Sequence, residues 1–109
     1  MTYQTDPCGL EEFNLIESLH SLIQTMIATN SRMQLKEELK GQPDPDLING
    51  YQQQIIGLQQ TLKNSHKISD HISLKSLINE LGPKCKELLK SEREQYAQWN
   101  SVDANVLHH

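Results

Sequence analysis

The stretch 38-ELKGQPDPDLINGYQQQ-54 packs a glycine, two prolines and two aspartates into six consecutive residues between two segments with helical spacing. Lys40 in a last turn with Gly41 just beyond it predicts the end of a helix. Asp44 has the side chain of an N-cap, Pro45 suits the first helical position, and Asp46 complements the positive end of the new helix dipole. One helix ends and another begins within about four residues. So short a connection folds the second helix back antiparallel on the first, as an αα-hairpin.

Working upstream, Phe13, Leu15, Ile16, Leu19, Leu22, Ile23, Met26, Ile27 and Met33 recur at steps of three and four, the period of one helix face. Leu15, Leu19, Leu22, Met26 and Met33 form a seam that passes over Thr29, and Ile16 and Ile23 widen it. No proline or glycine interrupts residues 11–40, which predicts a helix of about 30 residues, roughly 45 Å long. Residues 1–10 read as an irregular lead.

Downstream, Ile48, Tyr51, Ile55, Leu58 and Leu62 keep an unbroken three-four alternation, the pattern of knobs for a coiled-coil neighbour, on a helix over residues 45–64. Its other faces carry Gln52, Gln53, Gln54, Gln59 and Gln60. Gly50 and Gly57 lie one heptad apart; they are either surface glycines or a notch for close helix approach. Polar residues 64-NSHKISD-70 then make a connection, with Ser69 or Asp70 capping a third helix over 70–99. That helix carries Ile72, Leu74, Leu77, Ile78, Leu81, Cys85, Leu88, Leu89, Tyr96 and Trp99. Pro83 cannot donate a hydrogen bond to the carbonyl of Asn79. The apolar phase nevertheless runs across it, with Leu74, Leu81 and Leu88 seven apart, so a kinked continuous helix is expected. Residues 100–109 are polar and read as a flexible tail.

The fold class is therefore all-α: an up-down-up three-helix bundle built on an αα-hairpin over residues 11–99, with its third helix kinked at Pro83. The alternative is a four-helix bundle broken at Gly82-Pro83. In the first arrangement the central helix is shorter than its neighbours. About ten residues overhang at the start of the first helix and about ten at the end of the third. Phe13, Leu15 and Ile16 at one end, and Leu89, Tyr96 and Trp99 at the other, are thus the candidate partner-binding residues, since aromatic and aliphatic anchors carry most interface energy.

Composition narrows the function. Hydrophobic residues make up 36% of the 109, lean for a compact globule, so the apolar side chains must lie in stripes or be shared with a partner. A net charge of −4 argues against a phosphate backbone as the main partner. The densest cations, Lys84, Lys86, Lys90 and Arg93, are interleaved with Glu87, Glu92 and Glu94, as on a solvated helix face. No apolar run approaches the roughly 20 residues that span a bilayer, and no signal-peptide pattern opens the chain. A cytoplasmic protein with Cys8 and Cys85 as free thiols is expected.

Candidate chemistry is sparse. His66, Asp70 and His71 in 66-HKISDH-71 suggest metal ligands but read better as a solvated connection without a fixed fourth donor. His20 beside Leu19 reads as a flanking, partly buried histidine. Glu11-Glu12, Asp44 and Asp46 suit helix starts, and Glu37-Glu38 suits surface pairing with Lys36 or Lys40. Cys85 shares the register of Ile78, which predicts a buried, inert thiol rather than a nucleophile. No catalytic, cofactor-binding or metal-binding residues are assigned. The expectation is a non-catalytic interaction module: an adaptor, small chaperone or accessory subunit of an intracellular assembly, self-associating as a homodimer through its helix overhangs. The alternatives are a helical accessory subunit of a nucleic-acid complex, using the Lys84–Arg93 face, and a small metal- or thiol-dependent enzyme.

Overall fold

In the computed structural model, the described backbone covers residues 10–107 and the described side chains cover residues 14–97. Three helices account for it: α1 (Leu10–Glu38), α2 (Pro45–Ser65) and α3 (His71–Leu107). The expected all-α architecture on a helical hairpin is what the chain adopts. The lead over residues 1–9 lies outside the described residues.

The hairpin turn begins as its residue types dictate. Asp44 is extended (φ −93, ψ 109) and its carboxylate accepts the Asp46 N–H at 2.9 Å, with Pro45 at the first helical position. Helix α1, however, stops at Glu38 rather than at Lys40, and Gly41 does not take up the left-handed conformation of a C-terminal glycine stop. A side chain closes the turn instead. The Glu37 carboxylate is 2% exposed, accepts the Asp44 backbone N–H on Oε2 at 2.9 Å, and holds the Lys40 ammonium 2.9 Å from Oε1. Surface pairing was expected of this residue. It is a buried clamp across the hairpin.

Helix α3 passes through Pro83 without a break, which removes the four-helix alternative. It also runs to Leu107, well past the expected end near residue 99. Asn100, Ser101, Asp103 and Asn105 suggested a frayed tail, but no glycine or proline follows Pro83, so nothing in the backbone forces a stop. Asp70 caps the start of α3, accepting the Ser73 N–H at 2.9 Å.

Helix α1 is the shared neighbour of the other two. It packs on α2 and on α3, while among the described residues no Cα of α2 comes within 8 Å of one in α3. Two contacts fix α2 antiparallel to α1: Glu37 to Asp44 at one end and His20 to Ser65 at the other. Three fix α3 parallel to α1. Arg32 grips Glu92 through both guanidinium and carboxylate pairs, at 2.6 and 2.9 Å. Gln95 donates to the Met33 carbonyl at 3.2 Å, and the Lys36 ammonium lies 4.2 Å from the centre of the Tyr96 ring. The molecule is a rod of 68 × 27 × 16 Å with a radius of gyration of 18.5 Å. A compact domain of this length has about 13 Å.

The core cluster consists of Leu19, Ile23, Met26, Leu74, Leu81 and Cys85, with Leu15, Ile16, Leu58, Leu88 and Leu89 among the half-buried side chains against it. Along α1 the buried positions are Leu19, Ile23, Met26, Asn30, Met33 and Glu37, with Thr29 beside them. Leu19, Met26 and Met33 of the expected seam are buried, with Ile23 buried more deeply than Leu22, and the passed-over Thr29 is buried together with Asn30. Thr29 tolerates burial because its hydroxyl bonds the Thr25 carbonyl at 2.7 Å.

Candidate functional site: the open side of the bundle

Because, among the described residues, no Cα of α2 comes within 8 Å of one in α3, the side of the bundle diagonally opposite α1 is open. In a four-helix bundle each helix touches two neighbours and faces a third across the core. Here α1 has both neighbours and no diagonal. A groove of about 700 Å³ occupies that place, with Met26 as its floor. Gln54, Gly57, Leu58 and Thr61 form the α2 wall, and Leu81, Lys84, Glu87, Leu88 and Ser91 are among the residues of the α3 wall. A Cβ added at Gly57 or Gly50 meets nothing within 4 Å, so neither glycine is needed for contact within this chain.

Burial records the same asymmetry. The seam of α1 falls to 0% exposure at Leu19 and Ile23, whereas Ile48, Tyr51, Ile55, Leu58 and Leu62 of α2 are all only half-buried. The α2 seam has the unbroken coiled-coil alternation, yet it is covered from one side alone.

A second uncovered feature is the end of α3. With Tyr96 alongside Lys36 and α1 ending at Glu38, about nine residues of α3 continue beyond the partner helix, roughly 13 Å. Next to this extension a second groove of about 600 Å³ is lined by Arg32, Lys36, Glu92, Arg93, Tyr96 and Ala97. Glu92 serves two cations there, lying 4.0 Å from Lys36 as well as binding Arg32. Hydrogen bonding from Arg32 holds its carboxyl below the usual range.

The candidate contact residues divide between these settings. Leu15, Ile16 and Leu89 are half-buried against the core cluster. Extending the parallel α1–α3 register back from Arg32–Glu92 lays the first turns of α3 level with the first turns of α1, so α1 does not extend past α3 at that end. Tyr96 is 51% exposed at the far end. The side chains of Phe13 and Trp99 lie outside those described. Sequence reasoning did not place the groove: Met26, Leu81 and Leu88 were read as seam residues and Lys84 and Glu87 as part of a solvated helix face. The one signal was the glutamine- and glycine-rich flank of α2.

The residues weighed for chemistry have structural settings. The Ser65 hydroxyl donates to the Leu62 carbonyl at 2.6 Å and is 2% exposed, so in the 3.0 Å contact with His20 the imidazole Nε2–H is the donor. That pair pins the end of α2 to α1, and the His66 ring stacks edge-on against His20 at 4.9 Å. Among the described residues no group of three His, Cys, Asp or Glu side chains is arranged to hold a metal ion. The Cys85 thiol is 6% exposed, and burial raises its pKa, the opposite of what a nucleophile requires. Cys8 lies outside the described residues. Lys84 pairs with Glu80 one turn away at 3.4 Å, both exposed, as on a solvated helix face. No described helix is long and apolar enough to cross a membrane. No family model, no curated protein and no solved structure matches this chain.

Proposed function

We propose that this chain is a non-catalytic protein–protein interaction module, an adaptor, small chaperone or accessory subunit of an intracellular, cytoplasmic assembly, whose partner supplies helix to an incomplete bundle. The observation that carries this reading is the vacancy between α2 and α3. Two helices share α1, have no Cα atoms within 8 Å of each other among the described residues, and leave an apolar-floored groove between them with the α2 seam half-covered. A helix laid there satisfies ridges-into-grooves packing on both walls. It also adds the burial that a lean chain lacks, at about 25 cal/mol per Å² of apolar surface removed from water.

The groove walls are neutral along α2, and along α3 Lys84 is offset by Glu87. Such a lining suits a peptide helix and gives a phosphate backbone little attraction.

Affinity capture with the full chain, comparing the unmodified protein with Gly57→Trp, tests the reading. The indole would fill the groove without meeting any group of this chain near its Cβ, so helicity should be unchanged. Partners held by the unmodified protein and lost by Gly57→Trp are the expected result. Equal retention by both, or no specific retention by either, contradicts it.

A further inference from the structure

We propose that the outer face where α1 ends beside α3 docks an acidic amphipathic segment of a partner protein, one with aspartates or glutamates bordering a short apolar stripe. This face lies on the other flank of α3 from the groove of the open side, and it binds independently of that groove.

Two features of the described side chains coincide there. The first is charge. The α3 flank that lines the open side carries Lys84, Glu87 and Ser91, and Glu80 and Glu94 continue it at helical steps of three and four. The opposite flank lines the second groove with Arg93 and Ala97, and the same steps lead back from them through Lys90 to Lys86. Charges that alternate along the sequence are thus sorted by the helix, carboxylates mainly toward the open side and cations away from it. Helix α1 adds Arg32 and Lys36 to the cationic side. The carboxylate that lines this groove, Glu92, is already held by Arg32 at 2.6 Å, with Lys36 at 4.0 Å. Lys86, Lys90 and Arg93 are exposed. A chain of net charge −4 therefore carries a face on which cations outnumber carboxylates.

The second feature is apolar exposure. Leu35 and Leu39 share a face of α1 with Arg32 and Lys36, at helical spacing, and are 55% and 64% exposed. Tyr96, beside Lys36, is 51% exposed. Three of the six large hydrophobic side chains left exposed among the described residues therefore gather at this one end. The other three, Leu47, Ile56 and Ile72, lie on α2 and at the start of α3.

The mixture selects the partner. A phosphate backbone answers to cations, gains nothing from Leu35 and Leu39, and meets the carboxylates of the neighbouring α3 flank. Apolar side chains alone would accept any amphipathic segment, but the cations around them favour carboxylates and repel lysine or arginine. An apolar stripe bordered by carboxylates satisfies both.

Fluorescence anisotropy with the full chain at low salt tests this. The labelled probes are a synthetic amphipathic peptide with a leucine stripe flanked by glutamates, the same peptide flanked by lysines, polyglutamate, and a single-stranded oligonucleotide. The glutamate-flanked peptide is expected to bind at least about tenfold more tightly than each of the others. Leu39→Asp and Arg93→Glu should each weaken it by about threefold or more with unchanged helical circular dichroism, since both side chains are exposed. Gly57→Trp should bind the peptide as the unmodified chain does. Equal binding of the lysine-flanked peptide, tighter binding of the oligonucleotide, undiminished binding by both variants, or no binding of the glutamate-flanked peptide overturns the proposal. Absence of peptide binding together with capture that Gly57→Trp abolishes would remove this surface and leave the open-side reading in place. Peptide binding as expected, without such capture, would do the reverse.

Discussion

Glu37 shows how one carboxylate sets the geometry of the hairpin. It is out of contact with water, and its pKa is lowered first by the Lys40 hydrogen bond and further by the Asp44 N–H, against the opposing effect of desolvation. Glu92 is lowered by Arg32 in the same way. A carboxyl with a depressed folded-state pKa stabilises the fold above its unfolded pKa, about 4.3 for Glu, and that stability is lost as pH falls through the folded value. The thermal midpoint should therefore be flat near neutrality and drop below about pH 4.5, and Glu37→Gln with Glu92→Gln together should shrink the drop. An unchanged acid profile in the double variant would contradict the assignment. Because Arg32 is half-exposed, the Arg32–Glu92 contact itself is worth no more than about 1 kcal/mol. Asn30 is the converse case. It is fully buried at the heptad position of Ile23, and its Oδ1 has no hydrogen-bond partner, while Nδ2 bonds the Met26 carbonyl. Asn30→Leu should raise stability by about 1 kcal/mol or more in denaturant unfolding, because an orphaned acceptor is removed. A loss of stability would show that Oδ1 is satisfied in solution.

At the scale of the element, helix type and hairpin connectivity were legible because their signals are local. Asp44 and Pro45 carry capping chemistry readable without the fold, and Asp44→Ala should cost about 1 kcal/mol. The end of α1 was misplaced because Gly41 is a strong local stop signal, whereas the actual closure depends on Glu37 reaching Asp44, a contact that exists only once the hairpin is folded. Burial of Thr29 and Asn30 was hidden for a similar reason, since each donates back to its own helix, Thr29 to the Thr25 carbonyl and Asn30 Nδ2 to that of Met26. The length of α3 was underestimated because polar residues between Asn100 and Asn105 obscured the register of Trp99, Val102 and Val106. Gly50 offers a clean check on α2. It is exposed, helical and free of neighbours at its Cβ, so Gly50→Ala should stabilise the chain by up to about 1 kcal/mol. A destabilised Gly50→Ala chain would mean that something packs against that position.

At the scale of the whole molecule, unequal helix lengths leave α3 reaching past α1, while the start of α1 runs alongside the start of α3. The larger departure from expectation is lateral. Sequence periodicity assigns each helix an apolar face, but it does not say whether two such faces meet, and here those of α2 and α3 both turn toward α1 and stand apart. The open side follows from that choice, and the functional reading follows from the open side. Amide hydrogen exchange on the dilute full chain tests it most directly, because protection tracks the local cost of opening. Enclosed between two helices, α1 should exchange slowest through Leu19–Glu37, with Ile48–Leu62 of α2 exchanging at least about tenfold faster, a gap of about 1.4 kcal/mol in opening free energy. Protection of α2 equal to that of α1 in the dilute chain would show the bundle already closed and would contradict the account.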